Sequence, residues 1–419
     1  MKRENKIPKK KKKKRKKRKE KMYVTRPLSL YRRSPESLLL PPAEGPNSGY
    51  LVIFDEESKT TTCCGLCTDN WIRSLPFPQN KDLMVSYSTG AGSSRRTYYD
   101  HVAFIPVINQ PLASNRYYVI RRKGRHKGKA CTNSKKDDMR TCCWYPYIQD
   151  IRPRPLDPTD IDQQMEIIQK KQRGYTANSI APDGFPPLFL RRKYWTVYKR
   201  ASRNYQLDDA PGLNSSLRAN LPDFNFSLSR ESSEAVVVGK WYCPFMFVHE
   251  KMKLKDQMKM SMFYEMTLEQ RWNKIYGCDN TENDQNNVVF VDVFIEKEEV
   301  CVGGKKAVWE NKNGMGNGVI WFKSICARNV VEKELKVGLR TLIVERMKWE
   351  QERVGFVNGG IHEKHIMRVE RKEEFGRKGG WSKFGCYLLV ERFVLKRIDG
   401  TVALTYDFKH THHIRSKWE

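Results

Sequence analysis

The chain has 419 residues, with 78 Lys and Arg against 48 Asp and Glu, for a formal net charge of +30. At 39% hydrophobic and 11% aromatic it can bury cores, which excludes wholesale disorder, and its length suits two or three domains. No apolar run approaches the roughly 18 residues of a membrane-spanning helix, and no apolar stretch follows the basic N-terminus, so a soluble, intracellular protein is expected.

The charge is uneven. Residues 1–21 hold 15 Lys and Arg and two Glu, so +13 of the total sits in a segment with almost nothing to bury. Within it Lys11, Lys12, Lys13, Lys14, Arg15, Lys16, Lys17 and Arg18 form a candidate nuclear-localisation signal or a polyanion-binding arm. Met22 opens a different composition and is an alternative start of translation. The expected location is the nucleus if the tail is translated and the cytoplasm otherwise.

Residues 22–150 read as a β-rich domain. Strands are predicted at 49–54, 83–88, 101–108 and 116–122, separated by Gly, Pro, Ser and Asn clusters. Residues 151–230 read as a connector with Pro/Gly/Ser-rich loops. A helix is predicted from Pro158 to Gly174, a strand at 188–200, and at most a short helix near 215–221. Residues 231–419 read as an α+β domain. It opens with a strand at 235–250, followed by a helix over 253–277 on the recurrence of Leu254, Met258, Met262 and Met266. Strands are predicted at 287–296, 318–324 and 338–349. Asp399-Gly400 between two long β runs predicts a terminal hairpin with a type I′ turn. The fold class expected is α+β and β-dominated, with mixed or antiparallel sheets and a few packed helices.

Chemistry-bearing residues are sparse. His410 and His412 share one face of a strand and could bind a metal, but no third ligand follows from spacing, and a plainer account puts them where a buried face meets solvent. HEKH (362–365) has its histidines three apart, not the four of a zinc-protease helix. GMGNG (314–318) lacks the Lys-Ser/Thr of a phosphate loop. Cys64 and Cys67 form half of a zinc-ribbon spacing, which Cys131 with Cys142 or Cys143 could complete. Adjacent cysteines on an extended chain point to opposite faces, which favours core packing instead. Zinc is the one cofactor in question. Two stretches, 116–129 and 189–203, interleave Arg and Lys with Tyr and Trp. Their candidate anion-binding residues are Arg121, Arg122, Lys123, Arg191, Arg192 and Lys193, set against the alternative of ordinary solvated strand faces.

The stretches MYVTRPLS, PPAEGPNSGYLVI, LPFPQN, YYVIRRKG, CCWYPYIQDIRPRPLDP, WYCPFMF, MTLEQRW, VERMKWEQERVGF and FGCYLLVERFVLKRIDG, with YDFKHTHHIRSKWE at the end, resemble a plant-specific family catalogued as domain of unknown function 1262. The resemblance runs over 22–419 and implies a plant protein, with no activity, cofactor or catalytic residue attached. The function expected is a non-enzymatic binding protein with a basic, aromatic-bearing surface for an acidic or phosphate-bearing partner, nucleic acid included. The alternative is an enzyme with a pocket between its two domains.

Overall fold

The computed structural model describes residues 22–419 apart from 43–47, 63–66, 91, 143, 172–173, 201–204, 281–286, 311–317, 326–333, 358–365 and 378. The basic tail, HEKH and most of GMGNG therefore lie outside the described residues. Strands dominate, and no described helix is long and apolar enough to cross a membrane.

The chain enters through β1 (Tyr23–Pro27), the short helix α1 (Leu28–Arg33) and β2 (Gly49–Ile53), with β1 and β2 paired in parallel. A seven-stranded antiparallel sheet follows. It contains β3 (Leu83–Thr89), β4 (Arg96–Pro106), β5 (Arg116–Arg121), β6 (Gln164–Gln169), β7 (Tyr175–Ser179) and β8 (Thr196–Lys199), with Trp71–Ile72 at one edge. The run HVAFIPVI is apolar at nearly every position because both its faces are covered. Val102 and Phe104 enter a core with Tyr117, Val119, Phe77, Tyr175 and Trp195. Ala103 and Ile105, with Tyr118 and Ile120, enter a second core that also holds Phe245, Met262 and Phe263.

That second core belongs to a twelve-stranded sheet. Its material is α3 (Ser215–Asn220), β9 (Val236–Pro244), α4 (Leu254–Met260), β10 (Phe263–Asp279) and the four strands β12 (Glu298–Val302), β13 (Lys305–Trp309), β14 (Val319–Ser324) and β15 (Lys336–Arg340). The helix α5 (Thr341–Glu352) and the long strands β17 (Lys383–Arg397) and β18 (Val402–Trp418) complete it. From one edge the order is Val248–Glu250, β15, β14, β13, β12, β18, β17, β10, β9, β1, β2, with Gly212–Leu213 pairing to β9 as the twelfth strand, and only the β1–β2 pair is parallel. Between β10 and β12 lies β11 (Val288–Glu296), which pairs with β16 (Ile366–Glu374) as a separate ribbon. The helix α2 (Leu188–Arg191) caps the smaller sheet.

Five local expectations are corrected. The helix expected over 253–277 stops at Met260, and the 17-residue strand β10 follows. Leu254, Met258, Met262, Met266, Leu268 and Trp272 are spaced by multiples of two, so a recurrence of four fitted a strand as well as a helix. Ile275 and Tyr276 break the parity at a β-bulge between Lys274 and Tyr276. In place of the helix over 158–174 stand one turn at Ile161–Gln163 and strand β6, which buries Met165 and Ile167. The strands predicted at 338–349 and 188–200 each split: β15 gives way to α5, and α2 precedes β8. The terminal turn spans three residues, Ile398 to Gly400, with Gly400 at φ +85° and the Gly400 N–H bonded to Arg397 O; this is a type I turn with a left-handed glycine rather than type I′.

Between α3, α5 and the large sheet lies a buried polar network. The Arg218 guanidinium donates Nε to Glu391 Oε1 at 2.8 Å and Nη2 to the Glu350 carbonyl at 3.0 Å. Arg346 Nη2 meets Glu350 Oε1 at 2.8 Å, and Gln270 Nε2 donates to Glu391 Oε1 at 2.8 Å. Glu350 is 0% and Glu391 1% exposed, so these charges hold only as a set. Burial pushes the Glu391 carboxyl up, but the Arg218 hydrogen bond and charge outweigh it and keep the group below its ordinary value.

Arg218→Met should lower stability by about 3–5 kcal/mol, read as the urea midpoint, with much of the loss recovered in Arg218→Met/Glu391→Leu. A single variant with an unchanged midpoint would show that the network does not hold the fold. His410 is buried against this network, and desolvation lowers its pKa to about 4. The folded pKa lies below the unfolded value near 6.5, so neutral His410 supports the fold fully above pH 6.5 and that support fades as pH falls towards 4, in total about 3 kcal/mol. Comparison of unfolding free energies at pH 7 and pH 5 should show a smaller drop in His410→Gln than in the unmodified chain.

Candidate anion-binding cleft

Strand β5 ends at Arg121, and successive side chains of an extended backbone diverge. Arg121 turns to one side, where Nη2 meets Asp100 Oδ1 at 2.6 Å and the guanidinium lies 5.2 Å from the Phe189 ring centre. Arg122 turns to the other, where Nε meets Asp82 Oδ1 at 2.8 Å and the guanidinium stacks 4.9 Å from the Tyr205 ring. The loop then folds back, with Gly128 N–H bonded to Arg121 O at 2.8 Å. Gly128 has φ +87°, and a Cβ there would come 3.3 Å from Leu254 Cγ at the start of α4. A residue with a side chain would be both strained and crowded, so glycine lets the loop lie against α4.

The result is a cleft of about 530 Å³ where the smaller sheet meets α4 and the terminal turn. Arg122, Lys123, Lys127, Arg200 and Lys259 line it, with His101 between them and Tyr205, Met258, Met260, Met262 and Ile398 as the less polar wall. Its one lining carboxylate among the described residues, Asp82, is already bonded to Arg122 and to the Tyr205 hydroxyl at 2.7 Å. Among the described residues Lys123, Lys127, Arg200 and Lys259 form no ion pair. Burial and like charge both act on these groups. The Lys127 ammonium is held below its ordinary value by desolvation and then by Arg122 and Lys259, with Asp256 and Asp82 opposing. The His101 imidazole is lowered by desolvation and then by Lys123 and Arg200.

Of the six residues singled out by sequence, Arg122 and Lys123 are in this cleft. Arg121 is not. Arg191 lies on α2, 3.3 Å from Asp150 and donating to the Pro186 and Ile148 carbonyls; Arg192 and Lys193 are exposed beyond it. Lys127 and Arg200 lie within the two basic stretches, whereas His101 and Lys259 come from segments that carried no such signal. Cys131 is buried, and its thiol is pushed up to about 12 by desolvation; Cys67 is exposed. Cys64 and Cys143 lie outside the described residues. Among the described residues no group of three or more His, Cys, Asp or Glu is placed to hold a metal ion.

Residues 44–144 match the model of a family described as a protein of unknown function, DUF1262. The match takes in Arg122, Lys123 and Lys127 but ends before Arg200 and Lys259. No curated protein matches. Among solved structures the chain is similar to that titled "Crystal structure of Cry35Ab1", at 10% identity and a TM-score of 0.40 over 81% of this chain and 90% of that one. A likeness of that size carries no functional argument.

In NMR titrations His101 should show a pKa below 6.5 that moves upward in Lys123→Gln, because one neighbouring positive charge is gone. A pKa unmoved by the substitution would separate His101 from the cationic cluster.

Proposed function

We propose that the cleft binds a compact phosphate-bearing ligand and that the protein acts as a binding module rather than an enzyme. The observation that carries this is the convergence of Lys123, Lys127, Arg200 and Lys259 on one concavity whose single carboxylate is already engaged. Like charges so placed repel, and an anion with several oxygens relieves all of them together. The volume falls within the roughly 300–1,000 Å³ of small-molecule sites, which favours a small ligand over a nucleic-acid strand. The methionine and tyrosine wall suits a phosphate ester with a less polar part. The motif stretches beyond residue 144 support extending the family likeness to 22–419, and with it a plant origin.

Inorganic pyrophosphate, titrated calorimetrically at low ionic strength, is expected to bind with an affinity that falls as salt rises. Lys127→Gln/Lys259→Gln should weaken it at least about tenfold, or 1.4 kcal/mol. Absence of binding, or binding indifferent to the double variant, would sink the proposal. A single-stranded oligonucleotide bound more tightly than pyrophosphate, with the same sensitivity, would move it to nucleic acid.

A further inference from the structure

Period two along β4 puts a titratable ring into the cationic cleft. His101 lies on the same face of the strand as Ala103 and Ile105, which are buried in the core that also holds Met262 and Phe263. That face runs out of apolar cover at His101, whose half-buried ring lines the cleft. Asp100, one residue back, turns to the other face, where Arg121 holds it at 2.6 Å. The carboxylate on the cleft side, Asp82, is held by Arg122 and the Tyr205 hydroxyl. Among the described residues the His101 ring makes no hydrogen bond and no ion pair. Its charged neighbours are Lys123 from the loop after β5, Arg200 just past β8, Asp82 just before β3 and Asp100 on its own strand, while Lys127 and Lys259 complete the cleft. Desolvation, Lys123 and Arg200 hold the imidazole below its ordinary value against Asp82 and Asp100, so the ring is neutral at pH 7 while only these groups face it.

We propose, on the reading of this cleft as a phosphate site, that its ligand binds together with a proton on His101, so that the anion is held more tightly as pH falls. A dianionic phosphate among Lys123, Arg200 and His101 reverses the field at the ring. It offsets the cationic excess and offers the imidazolium an N–H acceptor, which neither aspartate does. Lysines and arginines keep their charge throughout, so His101 is the lining side chain whose charge changes between about pH 5 and 8. The coupling is reciprocal: whatever the ligand does to the ring's pKa, the ring's proton does to the ligand's affinity. Above the liganded pKa the ring adds nothing. As pH falls affinity rises, by up to about tenfold for each unit between the liganded and unliganded values, and the gain is complete below the unliganded one. The ligand's own protonation, near pH 6 for a phosphate ester, removes negative charge and acts in the opposite direction, so the gain is read against a variant that lacks the ring.

The test follows the His101 ring by NMR on the full chain from pH 5 to pH 8, with and without saturating inorganic pyrophosphate. His101→Gln identifies the ring signal by its loss, and its amide spectrum confirms the fold. The ring's pKa is expected to rise by at least about one unit with pyrophosphate. In calorimetry, the unmodified chain should exceed His101→Gln in affinity by at least about threefold more at pH 5.5 than at pH 8, the ligand's own titration being common to both. An affinity ratio equal at the two pH values would overturn the coupling. A ring unmoved by pyrophosphate, with binding still weakened in Lys127→Gln/Lys259→Gln, would overturn the coupling and leave the phosphate cleft standing. No binding, or an unmoved ring with binding indifferent to that double variant, as for pyrophosphate held by the basic tail, would overturn both.

Discussion

Two carboxylates that no water reaches, Glu350 on α5 and Glu391 on β17, dictate how the second half is built. An ionised carboxylate in such a place survives only if guanidinium groups and amides saturate it. Arg218 must therefore come from α3, and Arg346 from within α5. Six residues of helix have little stability of their own, and α3 is fixed because its arginine is fixed. The Asn214 side chain caps it by accepting from the Leu217 N–H, but that contact alone is worth about 1 kcal/mol.

Where a segment has one solvated face and one buried face, period two was legible, as in β11, where Val289, Val291 and Ile295 are buried and Phe290, Asp292 and Phe294 are exposed. The terminal hairpin is buried at successive positions along most of β17, and in β18 Ala403 and Asp407 are buried where a solvated face was expected. Periodicity failed where buried polar residues replaced apolar ones. The α5 helix turns Arg346, Lys348, Glu350 and Gln351 inward, so its sequence shows no apolar stripe and reads as a strand by its Leu-Ile-Val start. For β10 the failure was arithmetic: methionines four apart satisfy both periods, and only the aromatic and β-branched content after Met262 could have decided between them.

The basic cleft was half legible for a similar reason. Basic residues interleaved with aromatics run to the end of β5, yet the two neighbouring arginines there go to opposite sides, Arg121 to Asp100 and Arg122 to Asp82, which the sequence does not show. Arg121 is matched by Asp100 and Arg191 by Asp150. Lys259 and His101 lie 158 positions apart, and nothing local to either stretch announces their meeting. The glycine at 128 was the one available hint, since it lets the loop lie against α4.

Residues 102–106 of β4 and 117–120 of β5 are buried on both faces. Their odd and even positions belong to different cores, one built mostly from the large sheet and one centred on the smaller sheet that also takes in Leu28, Tyr31 and Val52 of α1 and β2. The smaller sheet is therefore a party wall, and residues of β1 stand on the far side of it, with the Tyr23 hydroxyl donating to Pro106 O at 2.8 Å. A chain divided near residue 230 would give each fragment an uncovered apolar face, because the core that holds Ala103, Ile105, Tyr118 and Ile120 also holds Phe245, Met262 and Phe263.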